Sequence, residues 1–165
     1  VLGGPEAMLD RILAAGFDGV YLDIIDAFEY WEEKGVPDAA RRMVEFVEEI
    51  SQYGKERRPG FLVFPQNGEA LQEEEGYLAA VDGIGREDLY YVGEKKQEAE
   101  ETRAAERHLD AFVKAGKKVL VIEYCRKPGL VKDAYGRARA RGCVPYCTVR
   151  ALDQLTVNAG FEPDR

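Results

Sequence analysis

The sequence predicts an α/β fold of repeated (β/α) units, a barrel of parallel strands of which this chain supplies about five units. Three observations carry that prediction. Short, largely apolar runs recur at residues 19–23, 61–65, 81–84, 119–122 and 143–147. Stretches of helical periodicity separate them, and apolar strands interleaved with helices read as a parallel sheet covered on both faces. Polar residues gather just after each run, as they do at the carboxyl ends of barrel strands. A doubly wound sheet shares the first two features, but no G-x-G-x-x-G follows the first strand.

The elements follow in order. Residues 5–15 are expected to be a helix, with Pro5 at its start and Gly16 just past its end. The strand at 19–23 comes next. Residues 37–55 form a long amphipathic helix with Met43, Val44, Phe46, Val47 and Ile50 on the apolar side. After the strand at 61–65, Gln66-Asn67-Gly68 turns into a short helix toward Gly76. The third strand, 81–84, leads into Arg86-Glu87-Asp88. A helix at 97–115, a strand at 119–122, a helix at 131–140 and a strand at 143–147 complete the pattern, with a last helix from Ala151. A whole eight-stranded barrel needs ~250 residues. The 165 residues here are therefore expected to be one partial domain, the carboxyl-terminal portion of a barrel with further strands upstream.

Composition narrows the chemistry. The net charge of −8 gives no basic face for a polyanion, so nucleic acid is not an expected partner. No apolar run approaches the ~20 residues that span a bilayer. The three cysteines do not form a disulfide framework, and Cys143 and Cys147 lack the CxxC spacing. They read as packing residues. His108 is the single histidine, which removes most zinc and His-triad chemistry, and neither metal nor cofactor is expected. The glutamate runs at 73–75 and 94–101 read as solvated faces.

What remains is carboxylate chemistry at the strand ends. The first strand ends in Asp23, with Asp26 beyond it. The second ends in Gln66 and Asn67. The third ends in Arg86, Glu87 and Asp88, with Tyr90 and Tyr91 following. The fourth ends in Glu123, Tyr124 and Cys125. The fifth carries Tyr146 and Thr148, with Arg150 after it. Glycoside hydrolysis needs this kind of set: one carboxylic acid protonates the leaving oxygen, and a second carboxylate attacks or activates water. Amides and aromatic rings, including Trp31, suit sugar hydroxyls and sugar faces. Plainer roles stand beside these. Asp26 and Asp88 can equally be helix caps, and Glu123 can be the buried partner of Arg126 or Arg150.

Five motifs fall in order on the five strand ends: GFDGVYLDIID, FPQNGE, VDGIGREDLYY, KKVLVIEYC and GCVPYCTVRALDQL. Together they resemble the glycoside hydrolase family 114 clan, the endo-α-1,4-polygalactosaminidases. They are most similar to its bacterial and archaeal glycosidase branch, some members of which have been labelled as related to cysteinyl-tRNA synthetase. The resemblance implies a (β/α)8 barrel that cleaves an α-linked, galactosamine-containing polysaccharide, in a secreted or cell-envelope protein. It carries over Asp23 and Glu87 as the catalytic pair, with Glu123 and Asp26 in support. Gln66, Asn67, Arg86, Tyr124, Tyr146 and Arg150 complete the expected substrate-binding set. A non-catalytic carbohydrate-binding or structural barrel is the alternative. A tRNA-linked role conflicts with the charge and with the absence of a phosphate-binding loop. The oligomeric state is left open.

Overall fold

The computed structural model describes residues 1–4 and 6–162, so Pro5, the expected helix start, lies outside the described residues. The chain divides into two compact units, Val1–Ile84 and Gly85–Arg165. The boundary falls inside one strand.

In the first unit, α1 (Met8–Ala14) precedes β1 (Gly19–Leu22), α2 (Ala27–Glu33), α3 (Ala39–Arg57) and β2 (Leu62–Pro65). A 3-10 turn (Glu69–Glu73) and α4 (Tyr77–Ala80) follow. β1 and β2 pair in parallel, from Gly19 against Leu62 to Leu22 against Pro65. Gly19 is required by that pairing, since a Cβ there would sit 2.3 Å from the Leu62 carbonyl oxygen. α3 buries Val44, Val47, Ile50, Ser51 and Gly54, a stripe at helical spacing. Each fully buried aliphatic side chain contributes roughly 1.5–3 kcal/mol. Phe46, expected on that stripe, is exposed instead, because it lies a third of a turn off it. Gly54 lets the helix approach Phe61, whose ring a Cβ would meet at 2.4 Å.

Asp82 ties β2 to the chain that follows. Its amide donates to the Val63 carbonyl, and its carboxylate accepts from the Val63 amide at 2.9 Å. Lys55 Nζ lies 3.1 Å from the same carboxylate.

The next strand, β3 (Gly83–Glu87), starts two residues later than the sequence suggests and runs three further. The apolar signal stops at Ile84, but Gly85 is buried, and Arg86 and Glu87 continue the strand. The second unit then holds a small hairpin, β4 (Tyr91–Val92) with β5 (Lys95–Lys96), that the sequence pattern did not reveal. α5 (Ala99–Lys114), β6 (Lys118–Glu123), α6 (Pro128–Ala140) and β7 (Val144–Cys147) follow. The sheet order is β3-β6-β7. β6 and β7 are parallel, with Glu123 opposite Cys147.

α5 buries Thr102, Ala105, Leu109 and Phe112, and α6 buries Val131, Ala134, Tyr135 and Ala138. Both sets follow helical spacing, i, i+3, i+7, i+10 in α5 and i, i+3, i+4, i+7 in α6. The expected helix from Ala151 does not form over the described residues 151–162. Leu152 takes a left-handed conformation (φ 51°), and the tail runs back as turns and bends. Asn158 Nδ2 donates to the Cys147 carbonyl at 2.8 Å, and the Thr156 amide donates to Tyr146 Oη at 2.8 Å. Those bonds hold the tail against β7. The parallel pairs with interleaved helices make this an α/β fold.

Candidate active site

In the first unit the candidate residues sit just past β1 and β2. Asp23 follows the last residue of β1 and is exposed. One of its carboxylate oxygens accepts the Ile24 amide at 2.8 Å. Ile24 has φ 60°, the left-handed region that a β-branched residue rarely enters. This turn sends Ile24 to the surface and buries Ile25. Asp26 occupies the N-cap position of α2 but makes no capping bond. It instead accepts from Asn67 Nδ2 at 3.5 Å, the limit of a hydrogen bond. Asn67 is also left-handed (φ 57°), two residues beyond β2. Gln66 continues the ladder, its amide donating to the Leu22 carbonyl at 2.8 Å. Asp26 and Asn67 are thus brought together, each half-buried. The exposed Trp31 lies on α2, a helix the sequence pattern did not reveal.

In the second unit the polar groups form a linked set. Glu87 is the last residue of β3 and half-buried, and Tyr124 Oη donates to its Oε1. Burial, reinforced by that carboxylate, pushes the Tyr124 hydroxyl well up, so it remains a donor at neutral pH. The Arg150 guanidinium stacks over the Tyr124 ring at 4.1 Å and pairs with Asp88 at 2.6 Å. Arg150 therefore pairs with Asp88 and not with Glu123. Asp88 caps nothing. It is a third left-handed strand-end residue, at φ 51°. Arg86 precedes Glu87 in β3 and is half-buried.

Glu123 is 0% exposed. Alternation along β6 explains why: Val119, Val121 and Glu123 all face inward. Its two oxygens accept the Tyr90 amide at 2.8 Å and the Tyr91 amide at 3.1 Å. Burial raises its pKa to about 7, and the two amides oppose that rise only in part. Glu123 therefore holds the loop after Glu87 through the Tyr90 and Tyr91 amides. Gln97 and Thr102 help: Gln97 Nε2 donates to the Asp88 carbonyl at 3.2 Å and Thr102 Oγ1 to the Leu89 carbonyl at 2.9 Å. A left-handed Asp88 persists where its surroundings over-determine it in this way.

Three expected sugar contacts are engaged elsewhere. Tyr90 is fully buried beneath the Arg137 guanidinium, 3.9 Å from the ring centroid. Tyr91 is buried, and its hydroxyl donates to Asp133 at 2.6 Å. Tyr146 accepts the Thr156 amide and so holds the tail. The contacts of Gln97, Thr102 and Asp133 are not legible in the sequence, because no local pattern marks a side chain that bonds a group 9, 13 or 42 residues away. Among the described residues no group of three or more His, Cys, Asp and Glu could hold a metal ion, and no helix is long and apolar enough to cross a membrane.

The model of glycoside hydrolase family GH114 matches residues 5–160. The chain belongs to that family. An uncharacterized protein of Deinococcus radiodurans is 40% identical over 153 residues, covering 92% of this chain and 49% of its own length. One from Thermotoga maritima is 37% identical over 169 residues, covering 94% and 52%. One from Methanocaldococcus jannaschii is 37% identical over 162 residues, covering 89% and 47%. The chain spans about half the length of these relatives. The glycoside hydrolase domain of PelA from Pseudomonas aeruginosa superposes with a TM-score of 0.70 at 20% identity, covering 91% of this chain and 60% of that one. At that identity the likeness concerns the fold.

Proposed function

We propose that this GH114 chain contributes to a glycosidase that cleaves an α-linked polysaccharide, with galactosamine-containing polymers as its substrate class. The observation that carries the reading is Glu87, a half-buried carboxylate at a strand end whose Oε1 accepts from Tyr124, in a chain matched by the family model along nearly its whole length. Glu87 is assigned the acid/base role. A carboxyl group shielded from bulk water and positioned by a hydrogen bond suits proton transfer to a leaving oxygen. Asp23, exposed at the end of β1, is assigned the second carboxylate role. Arg86, Asn67, Gln66 and Asp26 are assigned to sugar hydroxyls. An acidic protein also suits a partly deacetylated, cationic sugar chain.

The test is release of reducing ends from a panel of galactosamine and acetylgalactosamine polymers, by this chain and by a full-length relative. Glu87→Gln and Asp23→Asn are each expected to lower the rate by about 10²–10⁴-fold with unchanged circular dichroism. Full activity in either variant sinks the assignment of that residue. A second reading, sugar binding without cleavage, draws on the Arg150–Asp88 pair, which already neutralises one strand-end carboxylate. It is favoured if polymer binds and no reducing ends form.

A further inference from the structure

Cys125 and Cys147 play no part in the chemistry proposed above, yet the fold brings them together. Cys147 ends β7, opposite Glu123, and Cys125 lies two residues beyond Glu123 in the loop after β6. Their Sγ atoms are 3.9 Å apart, and both side chains are buried. The two thiols also border a cavity of about 260 Å³, alongside Arg126, Thr148, Gln154 and Thr156. Cys143, four residues before Cys147, is bordered by a different cavity, with Tyr135, Arg139 and Phe161.

We propose that Cys125 and Cys147 form a thiol–disulfide pair that clamps the end of β6 to the end of β7. Bond formation needs the sulfurs to close from 3.9 Å to about 2.05 Å. Cys125 is the partner free to move, because its backbone lies beyond the strand ladder. The co-reactant is a small-molecule disulfide small enough for the cavity. Cys125 thiolate attacks one of its sulfurs and releases the first small thiol. Cys147 then attacks the Cys125 mixed disulfide and releases the second. Two thiol hydrogens and two electrons leave the protein, and the small disulfide is reduced to two thiols. Burial raises the pKa of both cysteines, so few thiolates exist at neutral pH. The pair therefore stays reduced in air and closes only under a sustained disulfide excess.

The experiment incubates the native 165-residue chain with excess 2-hydroxyethyl disulfide and counts thiols after denaturation. The expected result is one remaining thiol, Cys143, and a mass about 2 Da lower than the reduced chain. A non-reduced peptide map is expected to join the Cys125 and Cys147 peptides. Closing this loop is expected to raise the melting temperature by roughly 5–10 °C, reversibly with dithiothreitol. Cys143→Ser is expected to close as the parent does, and Cys125→Ser to stop at an open form. Three surviving thiols, a link through Cys143, or an unchanged melting temperature in the linked form each overturn the proposal.

Discussion

Glu123 gives the sharpest prediction, because its burial and its two amide partners act against each other. In the unfolded chain this carboxyl group loses its proton near pH 4.5, whereas in the folded protein it does so near 7. Between those values the folded state binds the extra proton, so stability falls as pH rises. The stabilisation is complete below pH 4.5 and gone above about pH 7. At about 1.4 kcal/mol per tenfold change in proton affinity, the loss is about 3 kcal/mol, or roughly 6–12 °C in melting temperature. Glu123→Gln removes that titration while keeping the shape. It also leaves one of the Tyr90 and Tyr91 amides poorly satisfied, at a cost of about 1–3 kcal/mol. The variant is thus expected to be less stable than the parent at pH 4.5 and about equal or more stable at pH 8. Urea unfolding of both proteins at half-unit steps from pH 4.5 to 8 measures this. Every other titrating group is common to both, so the difference between the curves isolates Glu123. Parallel curves across the whole range would refute the reasoning.

Three further outcomes follow from single contacts. Ile24→Gly is expected to stabilise the first unit by about 1 kcal/mol in urea unfolding, since it relieves a left-handed β-branched residue whose side chain is exposed. A loss of stability would show that this backbone is not strained. Gly19→Ala is expected to cost about 1–3 kcal/mol in the same assay, because its Cβ meets the Leu62 carbonyl in the β1–β2 ladder. Tyr124→Phe removes the hydroxyl that donates to Glu87 and is expected to lower turnover roughly 5–10-fold, with binding of polymer retained. Unchanged turnover would mean that the bond does not position Glu87.

The sequence by itself determined the alternation of elements, the parallel strand character and the candidate carboxylates. Those signals are local: an apolar run at 119–122, a helical stripe at Val44, Val47 and Ile50, a polar residue after each strand. Where the local signal is weak, tertiary contacts decided. β3 extends through Arg86 and Glu87 because β6 pairs with it, although its apolar pattern stops at Ile84. α2 has only seven residues, too few for propensity to specify alone. The segment after Ala151 is bound to Cys147 and Tyr146 and so has no need of a helix. The site divides in the same way. Asp23 and Glu87 can be read as strand-end carboxylates from their neighbours in sequence. That Glu123 grips the amides of Tyr90 and Tyr91, some 30 residues earlier, is decided only when β6 turns its odd-numbered side chains inward. The pairing of Cys125 with Cys147 has the same origin, for proximity across neighbouring strands depends on register, and register is a property of the folded sheet.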